Sequence, residues 1–259
     1  MAEIIVVESV ERAGAIAGEA IVALVDRKPD AVLGVATGST PLPVYAYLAE
    51  AFRRRDVSKV RAFALDEYVG IPREHRESYH SVIEREVTTA LGLTPALVSV
   101  PDGQAADLER AAADYDRAIA AAGGVDIQLL GIGGDAHIGF NEPGSSFASR
   151  TRVKTLTPQT RDDNARYFDS IEEVPRHALT QGLGTILDAR HLVLLAFGTA
   201  KAEAVALALE GPLSPMVPAT AVHLHPHVTV ILDEAAASGL ANSEFYRYVY
   251  DNKPSWQGI

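Results

Sequence analysis

Short apolar runs alternate with helical periodicity along almost the whole chain, and few folds accept that pattern. Residues 4–7, 31–36, 60–65, 97–100, 125–130, 191–197 and 228–232 are strand-length runs. A run that is apolar at nearly every position reads as a strand buried on both faces. Between these runs lie helix signals at 9–26, from Pro41 to about 54, at 78–91, 107–122 and 180–187, and from Lys201 to 210. In the first of these, Ala13, Ile16, Ala17, Ala20, Ile21 and Leu24 recur at helical spacing behind a capping Ser9. Residues 107–122 place Leu108, Ala111, Ala112, Tyr115 and Ile119 on one helix face. The expected fold is α/β: an open, mostly parallel sheet with helices on both faces, forming one domain over residues 1–259.

Ligands of open α/β sheets bind beyond the carboxyl ends of the strands. The residues that follow each run therefore carry the most information. Residues 31–36 lead into Thr37-Gly38-Ser39-Thr40-Pro41. Gly38 lets backbone amides turn toward a ligand, Thr40 can cap the next helix, and Pro41 suits its first position. Free amides beside hydroxyls form an anion site, although an ordinary capped helix would use the same residues. Residues 60–65 lead into Asp66-Glu67-Tyr68. Val69-Gly70-Ile71-Pro72 forbids an immediate helix, so Asp66 is placed on a loop. Residues 191–197 lead into Gly198-Thr199-Ala200-Lys201, again a glycine, a hydroxyl and a cation at a strand-to-helix turn.

The densest chemistry follows residues 125–130, in the stretch from Gly131 to Pro143. Three glycines turn the backbone, and Asp135, His137 and Glu142 follow within eight residues. Two acids flanking an imidazole are the ingredients of a proton-transfer site, because the acids can fix the imidazole's tautomer and raise its pKa. A metal site is the alternative, although only three local ligands and no cysteine are on offer. Gly131-x-Gly133-x-x-Ala136 also fits a loose dinucleotide fingerprint, but Asn141-Glu142-Pro143-Gly144 breaks the helix such a motif must open. A satisfied turn histidine is the bland reading of His137. Against it, four separate segments converge on one rim of the sheet.

The chain carries 34 acidic and 23 basic side chains, a net charge of −11, which disfavours a nucleic-acid or anionic-membrane partner. Clustered cations then serve a small anion. Without cysteine there is no disulfide or thiolate chemistry. No run reaches membrane-spanning length and no leader pattern opens the chain, so the expected compartment is the cytoplasm. His223, His225 and His227 alternate, but Pro226 interrupts a strand there, so packing or an interface is preferred to a metal. Phe245, Tyr246, Tyr248, Tyr250 and Trp256 read as a docked tail or a subunit contact.

Residues 144–178 are polar, with little sustained apolar periodicity. An insertion of this length beside a catalytic loop is expected to act as a lid. Within it, the alternation over residues 149–155 fits an extended edge segment or a solvated loop.

Several of these motifs together resemble glucosamine-6-phosphate deaminases of the glucosamine/galactosamine-6-phosphate isomerase family. The pieces are Thr37–Pro41, Leu65-Asp66-Glu67-Tyr68-Val69-Gly70, Glu77-Ser78-Tyr79, Gly131–Pro143, Ser149-Arg150-Thr151, Asn164-Ala165-Arg166-Tyr167-Phe168, Leu179-Thr180 and the Lys201 turn, in the family's order. Ala136 departs from the family's usual glycine, and the match fades beyond Asp233.

The resemblance implies a modified Rossmann-like sheet without nucleotide, metal or redox cofactor. It implies a substrate, glucosamine 6-phosphate, isomerised and deaminated to fructose 6-phosphate and ammonia in amino sugar catabolism. Asp66 would be the C2 base. His137 would act as acid/base, oriented by Asp135 and Glu142. Gly38, Ser39, Thr40, Arg166 and Lys201 would hold the phosphate. Some family members are hexamers activated by N-acetylglucosamine 6-phosphate, and resemble this chain at Ser145, Arg152, Lys154 and Thr155. Arg152 and Lys154 share a side of an extended backbone and have no obvious acidic partner nearby in sequence, so they form either a second phosphate site in a homo-oligomer or a solvated basic edge.

Two rivals share part of the pattern. A 6-phosphogluconolactonase looks similar in fold but needs no C2 base. A sugar-phosphate-sensing regulator domain would keep the phosphate loops beside a DNA-binding module.

Overall fold

The computed structural model describes residues 2–254 and 256–259. Ten strands alternate with nine helices among them. β1 (Glu3–Val7), α1 (Val10–Arg27), β2 (Val32–Val35), α2 (Leu42–Phe52) and β3 (Arg61–Ala64) come first, followed by a short β4 (Asp66–Tyr68). Then come α3 (Tyr79–Ile83), β5 (Val98–Ser99), α4 (Leu108–Ala121), β6 (Ile127–Leu130), β7 (Arg152–Thr155), α5 (Pro158–Ala165) and β8 (His177–Thr180). The chain continues through α6 (Leu183–Leu187), β9 (His191–Ala196), α7 (Ala202–Glu210), β10 (Val228–Asp233), α8 (Glu234–Ala237) and α9 (Ser243–Asp251).

Seven strands form one sheet in the order β1-β10-β9-β6-β2-β3-β5, and every pairing in it is parallel. The central strands are buried at every position in β2 and β9, which is why they read as unbroken apolar runs. Side chains still alternate between the faces. Val32, Leu130, Leu192 and Leu194 pack into one core layer, and Leu33, Leu129, Val193 and Leu195 into the other. α1 buries Ile16, Ile21 and Leu24 in the second layer, and Ser9 caps it by accepting from the Arg12 amide.

The smaller sheet, β4-β8-β7, is antiparallel and corrects two expectations. Asp66 does not lie on a loop: it begins β4, paired with Thr180. Thr180 does not open a helix but ends β8, and α6 begins at Leu183. The polar segment 144–178 also holds more regular structure than its composition suggests, namely β7 and α5. β7 is the edge strand that the alternation at 149–155 allowed.

Thr40 makes no capping hydrogen bond. Pro41 stands at the N-cap of α2, one residue later than expected. The helix opened by Ser78 turns into a wider π-helical coil at Glu84–Thr89. His223 and His225 bond to the carbonyls of Ala208 and Ala189, and His227 stacks on His191 at 3.7 Å, so all three serve packing. α9 docks through Tyr246, whose hydroxyl donates to Glu210, while Phe245 and Tyr248 stay exposed. Among the described residues, no helix is long and apolar enough to cross a membrane.

Candidate active site

The loops beyond β2, β3, β6 and β9 meet around a cavity of about 440 Å³, within the range that holds a small metabolite. Thr37, Gly38, Ser39 and Thr40 line it from the loop beyond β2. Gly38 has φ +85°, a left-handed conformation that glycine adopts without strain, and a Cβ there would meet nothing within 4 Å. The constraint on Gly38 is therefore conformational, not steric. Lys201 enters from the turn after β9, and Arg166 from the C-terminus of α5. Burial lowers the Lys201 ammonium below its ordinary value; Asp163 opposes that and Arg166 adds to it. Two cations on one wall of the cavity are arranged for an anion of more than one charge.

Asp66 lines the same cavity. It is 6% exposed, and none of the described residues donates a hydrogen bond to its carboxylate. Burial first, and then the neighbouring Glu67 charge, pushes its pKa up to about 7, although His137 pulls the other way. A carboxylate so placed can accept and release a proton near neutral pH.

His137 sits between two acids. Its Nδ1 lies 2.7 Å from Asp135 Oδ1 and 3.7 Å from Glu142 Oε2. Burial disfavours the charged ring, but the two carboxylates outweigh it and push its pKa up to about 9. In turn, His137 holds the Asp135 carboxyl well below the usual range against the effect of burial. The loop is built for this cluster. A Cβ on Gly133 would fall 2.4 Å from the His137 ring, and the Asp135 side chain accepts from the His137 amide. Gly139 approaches Asp66: a Cβ there would lie 3.3 Å from its Oδ2, and the φ of Gly139 is +56°. Ala136 has φ +62°, the left-handed conformation in which its methyl group is strained.

Asp135, His137 and Glu142 could also gather around a divalent cation, since their ligand atoms lie within 4.8 Å of one another. The 2.7 Å separation of ring nitrogen and carboxylate is that of an ion pair, while His137 Nδ1 and Glu142 Oε2 are buried without a hydrogen-bond partner among the described residues.

Ser145, Arg152, Lys154 and Thr155 lie outside the cavity lining. Arg152 nonetheless reaches the loop that carries Asp135, His137 and Glu142. It donates to Asn141 Oδ1 at 2.8 Å and to Ser145 Oγ at 3.2 Å, and Ser145 donates to the Glu142 carbonyl. Burial lowers the Arg152 pKa. Sequence reasoning gave no role to Asn141, Glu67 or Tyr79. Tyr79 lines the cavity, and Asn141 and Glu67 are buried polar groups each with partners on distant elements, Gln181 for Asn141 and α3 for Glu67, which no local spacing announces.

The family model for glucosamine-6-phosphate isomerases/6-phosphogluconolactonase matches residues 7–231. The chain belongs to this family. Within it, the chain is 57% identical to the glucosamine-6-phosphate deaminase of Pseudarthrobacter chlorophenolicus, over 99% of this chain and all of that one. The Streptomyces avermitilis glucosamine-6-phosphate deaminase is likewise 57% identical, with the same coverage. Among solved structures, a monomeric glucosamine-6-phosphate deaminase superposes with a TM-score of 0.88 at 43% identity, covering 92% of this chain and 99% of its own. The 6-phosphogluconolactonase of Leishmania guyanensis superposes with a TM-score of 0.74 at 23% identity, covering 93% and 99%, and shares the family's fold.

Proposed function

We propose that the protein is a glucosamine-6-phosphate deaminase, converting glucosamine 6-phosphate and water to fructose 6-phosphate and ammonia in amino sugar catabolism. The observation that carries this reading is Asp66, a buried carboxylate without a hydrogen-bond donor among the described residues, in one cavity with the ion-paired His137 and the cations Arg166 and Lys201. Relatives at 57% identity bear that name.

His137 gives a proton to the ring oxygen as the sugar opens, Asp135 and Glu142 holding the ring and stabilising its charge. Asp66 takes the C2 proton of the open aldose and returns it at C1. The resulting 2-imine adds water and loses ammonia. Gly38, Ser39, Thr40, Arg166 and Lys201 grip the phosphate, and that grip orients C2 toward the base. No step calls on a cofactor. Residues 144–178 act as the lid: they carry Arg166 to the cavity, and Thr157 ties them to Glu142 through its amide.

The test is release of ammonia and fructose 6-phosphate from glucosamine 6-phosphate by the wild type and by Asp66→Asn. Loss of about 10²–10⁴-fold in kcat is expected for the variant. Turnover of 6-phosphogluconolactone without ammonia release would establish the lactonase reading instead.

A second reading concerns regulation. Arg152 is half-buried, and among the described residues no carboxylate pairs with it. With Ser145, Lys154 and Thr155 it would receive the phosphate of N-acetylglucosamine 6-phosphate as an activator in a homo-oligomer, a hexamer in the activated family members. Light scattering and substrate saturation with and without that compound test both parts. A monomer with hyperbolic, unresponsive kinetics would dispose of them.

A further inference from the structure

Glu67 follows the base directly, and along a strand its side chain points away from the cavity into which Asp66 faces. It is 5% exposed, and no cation pairs with it among the described residues. Three backbone amides meet its carboxylate instead. Tyr68 and Tyr79 donate to Oε1 at 2.8 and 2.9 Å, and His80 donates to Oε2 at 2.8 Å.

Two of these amides open α3. That helix's first four amides are thereby fully accounted for: Tyr79 and His80 on Glu67, Ser81 on the Ser78 side chain, and Val82 on the Ser78 carbonyl. α3 in turn places Tyr79 in the cavity wall, its hydroxyl 3.3 Å from that of Tyr68 and its ring stacked over Phe140 of the catalytic loop. One carboxylate thus ties the strand bearing the base, the helix forming the wall and the ring resting on the loop.

We propose that Glu67 is a positioning residue for Asp66, locking β4 to the first turn of α3 so that base and cavity wall keep one register. The proposal rests on Asp66 being the base.

Burial raises the Glu67 pKa and its three amide donors oppose that; in its ionised form Glu67 sets a negative charge beside Asp66. The other titratable groups facing Asp66 are Tyr68 on its own strand, Tyr79 of α3, Tyr115 of α4 and His137 of the catalytic loop. The tyrosines are neutral at pH 7 and His137 is cationic. Glu67 is therefore the neighbour that favours the protonated base.

Three variants are compared with the wild type: Glu67→Gln, Glu67→Asp and Asp66→Asn. Glu67→Gln removes the charge and turns an NH₂ toward the His80 amide. Its kcat is expected to fall about 10- to 100-fold, with KM within about threefold and the acid limb of the kcat/KM profile moved to lower pH. The isotope effect on C2-deuterated substrate should rise, because proton abstraction becomes slower relative to the other steps. Glu67→Asp keeps the charge but cannot reach α3, so kcat should fall while the acid limb stays in place.

A role in fold stability alone would lower the melting temperature and leave the acid limb and the isotope effect unmoved. That result, or wild-type kcat in Glu67→Gln, overturns the proposal. If Glu67→Gln fails to fold, Glu67→Asp decides, and wild-type kcat there overturns it. Near-normal turnover by Asp66→Asn instead removes the base reading itself, so the two failures are distinguishable.

Discussion

Asp66 and His137 show how residue types that were plain in sequence acquire their chemistry from their surroundings, Asp66 from burial and His137 from two carboxylates that outweigh burial. The proposed base Asp66 must be deprotonated, and its pKa is pushed up to about 7; the proposed acid His137 must be protonated, and its pKa is pushed up to about 9. Activity is therefore expected to fall below about pH 7 and above about pH 9, giving a bell in kcat/KM of the free enzyme. A pH profile from 5 to 10 measures it, and an acid limb near 4 would show that Asp66 titrates like an exposed carboxylate. At Ala136 two effects oppose each other. Glycine would relieve about 1–2 kcal/mol of left-handed strain. It would also give up a buried methyl group, about 0.8 kcal/mol, and loosen the unfolded chain by about 0.4–1 kcal/mol. Ala136→Gly is thus expected to change unfolding free energy by less than about 1 kcal/mol, and a denaturant titration checks it. The departure from the family's glycine was visible in the sequence; the positive φ that gives it meaning was not.

At the scale of elements, the parallel strands and their following loops were legible because burial on both faces leaves an unbroken apolar run, as in residues 191–196. The antiparallel sheet was not. β4 is three residues long and contains two acids, and its partner β8 lies more than a hundred residues away. Both acids are buried for reasons outside the strand: Asp66 faces a cavity, and Glu67 meets the amides of α3. Such a strand carries no local signature, which is why Asp66 read as a loop residue and Thr180 as a helix start. The lid expectation belongs to this scale too. α5 buries only Thr160, so few apolar contacts hold it down, although Arg161 bonds to the carbonyls of Ile171 and Val174. Its amides should exchange with solvent faster than those of β9, and slow when a sugar phosphate bridges Arg166 and Lys201. Hydrogen exchange with and without a non-reactive hexitol 6-phosphate reads this directly, and equal protection in both states would mean the segment does not close.

For the whole molecule, the seven-stranded sheet brings four loops from distant parts of the sequence to one rim, and the stability of the fold bears the cost of what is placed there. The alternation of strands and helices made that convergence readable, since parallel strands put all their carboxyl ends at one edge. What alternation could not convey is that the cavity holds a carboxylate with no hydrogen-bond donor among the described residues. A raised pKa means that folding favours the neutral form of Asp66. Stability from that preference is complete below the unfolded value near 3.8 and is lost as pH rises through about 7. At pH 8 the folded protein carries an ionised, buried Asp66; at pH 5 it does not. Asp66→Asn keeps the shape and removes the charge. The variant should therefore exceed the wild type already at pH 5, where the unfolded chain is ionised, and the gap should widen by roughly 1–3 kcal/mol by pH 8. His137, with its pKa near 9, is present in both proteins, so its own pH dependence largely cancels in the comparison. Denaturant unfolding of both proteins at the two pH values gives the comparison. An inactive variant that grows relatively more stable from pH 5 to pH 8 would show the base to be held at the expense of the fold. A gap that does not change with pH would place the carboxylate in ordinary solvent and remove the physical ground for its role as a base.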